Sequence, residues 1–275
     1  MFLCSSCIFE SENLLGKDIR LFKKTPVWSL AKAVEKENLE QIRYLVKEKN
    51  VPIDFQETCF GNTVLLWATY HGKVKSIEVL LKLGANPNTQ DYYNGDNAIM
   101  IASGASFYDE TNRCNSTLLR LMLKHGGDVN SVQQSGELAE KGSAATPLTK
   151  ASSVCLEKVK LLVEAGADIN YVDSSGGGNP LGISLVQEKS DIARYLLIEK
   201  RADYHNAEKV IFIDGKDTMR VVYLLRHWLF PLDSEEYKIK MEIVDYMLQQ
   251  GEDYWAEPIP QDYLKKYPKE YLEKY

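Results

Sequence analysis

The 275-residue chain is acidic, with a net charge of −6, and its 44% hydrophobic content is enough for a substantial core, which excludes an intrinsically disordered protein. Lys and Arg are scattered among acidic residues rather than gathered in a basic stripe, so we expect no nucleic-acid partner. The five cysteines are irregularly spaced and predict no disulfide framework, and no apolar run approaches the ~20 residues that cross a bilayer. A cytoplasmic protein is the expectation.

Residues 1–24 precede the first periodic segment. Met1 to Phe9 is short and apolar and lacks a basic start, so it is not a complete signal peptide. One alternative is a bacterial lipoprotein signal that begins further upstream, with Cys7 as the lipidated residue and a periplasmic or outer-membrane location. The simpler interpretation is a frayed terminus.

The stretch from Gly61 to Asn88 is the most regular part of the sequence. Thr63 is placed to cap a helix whose apolar residues follow at helical spacing, and a second helix follows Gly72. Gly84 comes just after that helix, where a left-handed C-cap favours glycine. The stretch therefore predicts two short antiparallel helices and an extended exit.

The same unit recurs in register from Thr25 to Asp253. Its openings are Thr25-Pro26-Val27, Gly95-Asp96-Asn97, Thr146-Pro147-Leu148 and Asn179-Pro180-Leu181. The third unit contains an insertion at 104–115, the hairpin before the fourth is lengthened at 133–143, and the fifth has Arg201 where glycine is expected. Helices over Asp217–Trp228 and Ser234–Gln250 would form a degenerate sixth unit. Residues 254–275 contain Pro258, Pro260 and Pro268 and would form a short cap or a mobile tail.

The Thr-Pro-Leu openings and Gly-Ala-Asp-x-Asn endings resemble those of ankyrin-repeat proteins, and the whole sequence is similar to divergent bacterial members of that family. Trp28, Leu66, Met100, Thr149 and Gly182 replace the family's opening histidine. The resemblance implies an all-α solenoid of about six helix-turn-helix units with β-hairpin-like connections over residues 25–253. Residues 1–24 would be a separate leading segment and 254–275 a tail.

A partner site is predicted on the concave face that such repeats share. The opening position that faces it is occupied by Ser29, Trp67, Ile101, Lys150 and Ile183. Trp67 is the expected anchor, with Tyr70 on the same helix and Tyr92 and Tyr93 in the next hairpin. The alternatives are that Trp67 packs internally against the lengthened hairpins or the insertion, and that the two tyrosines stabilise their hairpin.

We found no catalytic or cofactor motif. The histidines are dispersed over different units, and Gly176-Gly177-Gly178 lacks the Lys-Ser/Thr of a phosphate loop. The sequence therefore predicts a monomeric, non-enzymatic protein-binding module that needs no metal or cofactor. Alternatives are an envelope lipoprotein, an immunity-type inhibitor of one partner and a scaffold with several partners. An enzyme is a further alternative, which would need clustered polar residues in a pocket.

Overall fold

The computed structural model describes residues 16–104, 114–134, 144–173, 178–209, 212–213 and 217–275. The chain divides into two compact units, Met1–Ala167 and Asp168–Tyr275. The insertion and the lengthened hairpin of the sequence analysis lie largely outside the described residues. The predicted boundaries at residues 24 and 253 stay predictions.

The first unit is built from pairs of short helices. After a 3-10 turn at Ile19–Phe22, the pairs are Trp28–Glu35 with Leu39–Lys47, Val64–Tyr70 with Val74–Lys82, Ala98–Ser103 with Thr117–Lys124, and Pro147–Ala151 with Leu156–Glu164. The first helix of each pair packs on the first helix of the next pair. Leu65, Ile99 and Leu148 of these first helices are fully buried, and so is Leu80 of the second helix Val74–Lys82. This arrangement confirms the predicted all-α solenoid of stacked repeats.

Polar caps start these helices where the sequence predicts them. The Thr63 hydroxyl accepts from Leu66 N at 3.1 Å, and Asn97 caps the first helix of the third repeat in the same way. In the first repeat the helix begins at Trp28 and has no side-chain cap. There the Thr25 hydroxyl accepts from Val27 N at 3.3 Å and donates to the carbonyl of Phe22 instead.

The polar residues of the repeat endings join successive repeats. Within the first unit, Asp54 Oδ1 accepts from Asn86 N at 2.8 Å, and Asn88 Oδ1 accepts from Asp128 N at 2.8 Å. In the second unit, Asn170 Oδ1 accepts from Asp203 N at 2.9 Å. The last residue of the repeat ending, an asparagine or an aspartate, therefore joins each of these repeats to the next one.

The second unit contains the fifth repeat and the chain after it. Its helices are Pro180–Val186, Ser190–Arg194 with a π-helical continuation at Tyr195–Glu199, Tyr204–Glu208, Val221–Leu225 and Glu235–Gln249. A 3-10 turn at Tyr254–Ala256 and helices Gln261–Lys266 and Lys269–Leu272 follow. Tyr254, Leu272 and Tyr275 are buried, so this end of the chain packs within the second unit.

The predicted helix over Asp217–Trp228 is wrong at both ends. Phe212–Ile213 pairs antiparallel with Asp217–Thr218, and the helix begins only at Val221 and ends at Leu225. Because the backbone of Asp217 and Thr218 bonds to a neighbouring strand, it cannot also start a helix. This short ladder is an exception in a mainly helical chain.

Candidate functional site

The hairpin that enters the third repeat is held by the buried carboxylate of Asp91. Its Oδ1 accepts from the backbone N–H groups of Tyr93, Asn94 and Gly95 at 2.9, 2.6 and 3.1 Å. Burial raises the pKa of this carboxyl, although the bonded amides oppose the shift. The tip is thereby fixed, and it presents Tyr92 and Tyr93 with 51% and 46% of their surface exposed.

The hairpin of the second repeat uses the same arrangement. The buried Glu57 carboxylate accepts from the amides of Cys59, Phe60 and Asn62 at 2.7 to 2.9 Å. The two hairpins are joined, because Tyr92 N donates to the Phe60 carbonyl at 2.8 Å. The Phe60 and Tyr93 rings meet edge to face with centroids 5.8 Å apart. The tyrosines thus stabilise the hairpins and remain half exposed.

Trp67 does not lie on an open surface, so its predicted role as an exposed anchor is wrong. Only 4% of its surface is exposed, and its indole Nε1 donates to the carbonyl of Lys17 at 3.0 Å. Residues 16–17, from the segment before the first repeat, cover this side of the helix. Trp67 therefore packs internally against the residues before the first repeat, which we call the lead-in. The insertion of the alternative interpretation lies outside the described residues.

Asn62, Trp67 and His71 form what we call the carbonyl-binding cluster. Asn62 Nδ2 donates to the Gly16 carbonyl at 2.8 Å, and His71 Nε2 lies 2.9 Å from the Lys17 carbonyl that Trp67 also contacts. A carbonyl only accepts, so His71 Nε2 carries the hydrogen. Burial, with the nearby charges of Lys73 and Lys17, lowers the pKa of His71 and favours the neutral ring. The Trp67 and His71 rings pack edge to face at 4.2 Å.

Tyr70 follows this cluster on the same helix and is half-buried. The Lys17 ammonium lies 4.6 Å from the centre of its ring. Burial and the neighbouring Asp96 and Asp91 carboxylates raise the pKa of the Tyr70 hydroxyl. Tyr70 borders a cavity of about 450 Å³ that is also lined by Gly16, Lys17, Phe60, Asn62, Asp91, Tyr93 and Asn94.

The other predicted site residues are less exposed than an open groove would require. Ile101 is half-buried, and Lys150 is paired with Asp96, with Nζ 2.8 Å from Oδ1. Ile183 is half-buried in the second unit, where it packs beside Gly178. The structure therefore brings Tyr70 and Tyr93 to one cavity and leaves Tyr92 and Tyr93 as the most exposed of the predicted residues.

Among the residues that the structure describes, no group of three or more His, Cys, Asp or Glu side chains could hold a metal ion. Across the same residues, no helix is both long and apolar enough to cross a membrane. Cys7, the proposed lipidation residue, lies outside the described part of the chain.

Stacked helix pairs joined by hairpins, with left-handed C-caps and bonded repeat endings, define the class of ankyrin-repeat solenoids. The family model described as "Ankyrin repeats (3 copies)" matches residues 10–91 and 30–131. The matched residues, 10–131, are similar to ankyrin repeats, in agreement with the stacked helix pairs of the first unit.

Two relatives support the assignment. The chicken nuclear factor NF-kappa-B p105 subunit is 31% identical over 141 residues, which are 51% of this chain and 13% of that protein. A putative ankyrin repeat protein of Acanthamoeba polyphaga mimivirus is 26% identical over 134 residues, covering 44% of this chain and 81% of the viral protein. The chain thus matches only a small part of the avian protein and most of the viral one.

Sequence reasoning missed the carbonyl-binding cluster and the acidic residues that hold the hairpins. The acidic residues had a signal, since Glu57 and Asp91 each stand four positions before a glycine, Gly61 and Gly95, in equivalent hairpins. No sequence signal indicated the carbonyl-binding cluster, because Trp67 and the Lys17 that it contacts are 50 positions apart in sequence.

Proposed function

We propose that the first unit binds a partner protein through its hairpin tips, with Tyr92 and Tyr93 as the main contacts. The single observation that carries this proposal is their half-exposed position on a tip that the Asp91 carboxylate fixes. A prefixed tip loses little entropy on binding, and tyrosine offers a large contact area with a hydrogen-bonding end. The interaction is non-enzymatic and needs no cofactor.

The ankyrin repeats support this proposal, since stacked repeats present extended binding surfaces. Ile101 and Lys150 contribute as half-buried residues of the same unit, and Trp67 and Tyr70 contribute through their contacts to Lys17. Ile183 would belong to a contact on the second unit. A single tight partner would indicate an inhibitor, whereas several weak partners would indicate a scaffold.

A bacterial source and a lipid anchor at Cys7 stay predictions. The relatives reported above come from a bird and a giant virus, so they give no support to the bacterial assignment.

The test is affinity capture from the source organism with the full chain, followed by mass spectrometry. Wild type is compared with a Tyr92→Ala, Tyr93→Ala variant and with Tyr44→Ala as the matched control, since Tyr44 is 45% exposed on a helix of the first repeat. We expect a partner that wild type and Tyr44→Ala retain and the double variant loses. Equal capture by all three proteins would overturn the proposed site.

A further inference from the structure

The segment Gly16–Lys17 lies on the second repeat in the way a bound peptide would. The carbonyl-binding cluster donates to the main-chain carbonyls of both residues, at 2.8 to 3.0 Å. Every peptide has such carbonyls, so these contacts by themselves do not select a sequence. Because they involve side chains and no strand pairing, the segment can be exchanged without breaking a helix or sheet of the fold.

Two features of the same place select for sequence. A Cβ added to Gly16 would lie 3.3 Å from Phe60 Cδ1, which is tighter than an ordinary contact, so the first position favours glycine. The second position places a cation 4.6 Å from the centre of the Tyr70 ring, beside a cavity whose lining includes the acidic Asp91. The chemistry therefore fits a small residue followed by a basic one.

Asn62 supplies an independent indication that this place takes a ligand. Its Nδ2 is bonded to Gly16, but its Oδ1 is buried without a hydrogen-bond partner in the structure described, and Asn62 is only 3% exposed. A buried acceptor of this kind is costly unless it is paired. The residue lines the cavity of about 450 Å³, so a ligand there could supply a donor, for example a peptide N–H.

We propose that the carbonyl-binding cluster, Phe60 and Tyr70 form a peptide subsite for a glycine followed by lysine or arginine, which Gly16–Lys17 occupies until a partner segment of the same chemistry displaces it. The inference rests on the proposed function, because it assigns a part of the partner's sequence. It adds competition between the lead-in and the partner.

The experiment uses the full ¹⁵N-labelled chain and follows the indole N–H signal of Trp67, which Trp67→Phe identifies by its loss. The probe is the capped peptide acetyl-Ala-Gly-Lys-Ala-amide, and the comparison peptides carry Val in place of Gly or Glu in place of Lys. Gly16→Val should crowd Phe60 and release the lead-in. Lys23→Val is the matched control, since Lys23 is an exposed residue that also lies before the first repeat.

We expect the probe to shift the Trp67 signal at a concentration about five-fold or more lower in Gly16→Val than in wild type or Lys23→Val, because a tethered segment competes at high effective concentration. The comparison peptides should cause little shift. The inference would be overturned if the probe concentration at half-saturation were equal in all three proteins. It would also be overturned if all peptides shifted the Trp67 signal equally. If Gly16→Val fails to fold, Lys17→Ala releases the contact to Tyr70 and takes its place.

This outcome is separable from the proposed function. Suppose that the Tyr92→Ala, Tyr93→Ala variant loses the partner and that the peptide does not shift the Trp67 signal. The proposed hairpin site then stands, and only the peptide subsite is refuted. If the peptide shifts the Trp67 signal but the tyrosine variant still captures the partner, the peptide subsite stands and the proposed hairpin site is refuted.

Discussion

One residue, Lys240, shows how the fold accommodates an ionisable side chain that is buried away from water. Lys240 is fully buried in the second unit, where its Nζ donates to the Trp228 carbonyl at 3.1 Å and lies 3.5 Å from the centre of the Tyr275 ring. Burial, with the neighbouring Arg226 charge, lowers the pKa of this lysine to about 6, and only Glu188 opposes the shift. The Lys240 amine is thus held by the Tyr275 ring face and the Trp228 carbonyl, and burial favours its neutral form near pH 7.

Lys240 predicts a specific pH dependence of stability. Between pH 6 and about 10 the unfolded chain binds a proton that folded Lys240 has lost, so its contribution to the free energy of unfolding rises with pH by about 1.4 kcal/mol per unit. Lys240→Met should remove this rise and stabilise the protein near pH 7. Urea unfolding at pH 6.5 to 9 measures the pH dependence of the free energy of unfolding. Burial raises the pKa of Tyr254 to about 12, so this residue does not titrate in that range. An unchanged slope in the variant would refute the prediction.

Asp91 carries a second residue-scale prediction. Asp91→Ala removes the acceptor of three amides at the hairpin tip and should lower the free energy of unfolding by about 1–3 kcal/mol. Asp91→Asn keeps one oxygen acceptor and should cost less. Thermal unfolding of both variants, with exposed Glu40→Ala as the control, tests this order. Equal stability of Asp91→Ala and wild type would contradict it.

At the scale of elements, helices with local signals were predictable from the sequence. Val64–Tyr70 and Val74–Lys82 form as expected, since their apolar spacing, the Thr63 cap and the left-handed Gly84 all act within a few residues. Strand pairing before Val221 was missed because it depends on a partner strand. The cover over Trp67 was missed for the same reason, since a contact across 50 positions leaves no periodic trace.

Left-handed helix ends give the prediction at this scale. Gly84 has φ +94°, and a Cβ added there would meet nothing within 4 Å, so Gly84→Ala changes only the backbone preference. We expect a loss of about 1 kcal/mol, measured by chemical unfolding. Arg201 holds the equivalent position in the fifth repeat with φ +60°. A Gly84→Ala variant as stable as wild type would show that this glycine is not needed for its conformation.

At the scale of the whole molecule, the first unit contains the features that the proposed function needs. It holds the exposed tyrosines, the fixed hairpin tips and the cavity occupied at its edge by Gly16 and Lys17. The second unit contributes a separate aromatic core around Lys240, Arg226 and Tyr275. The sequence predicted the repeats of the first unit and the position of Tyr92 and Tyr93 in a hairpin. It did not predict that residues 16–17 cover Trp67.

Hydrogen exchange of the full chain, free and bound to the captured partner, tests the central claim most directly. We predict that binding slows exchange of the amides at 90–97 and leaves the buried second-unit helix Glu235–Gln249 unchanged. Protection confined to the second unit, with none at the hairpin that carries Tyr92 and Tyr93, would contradict the claim that these tips bind the partner.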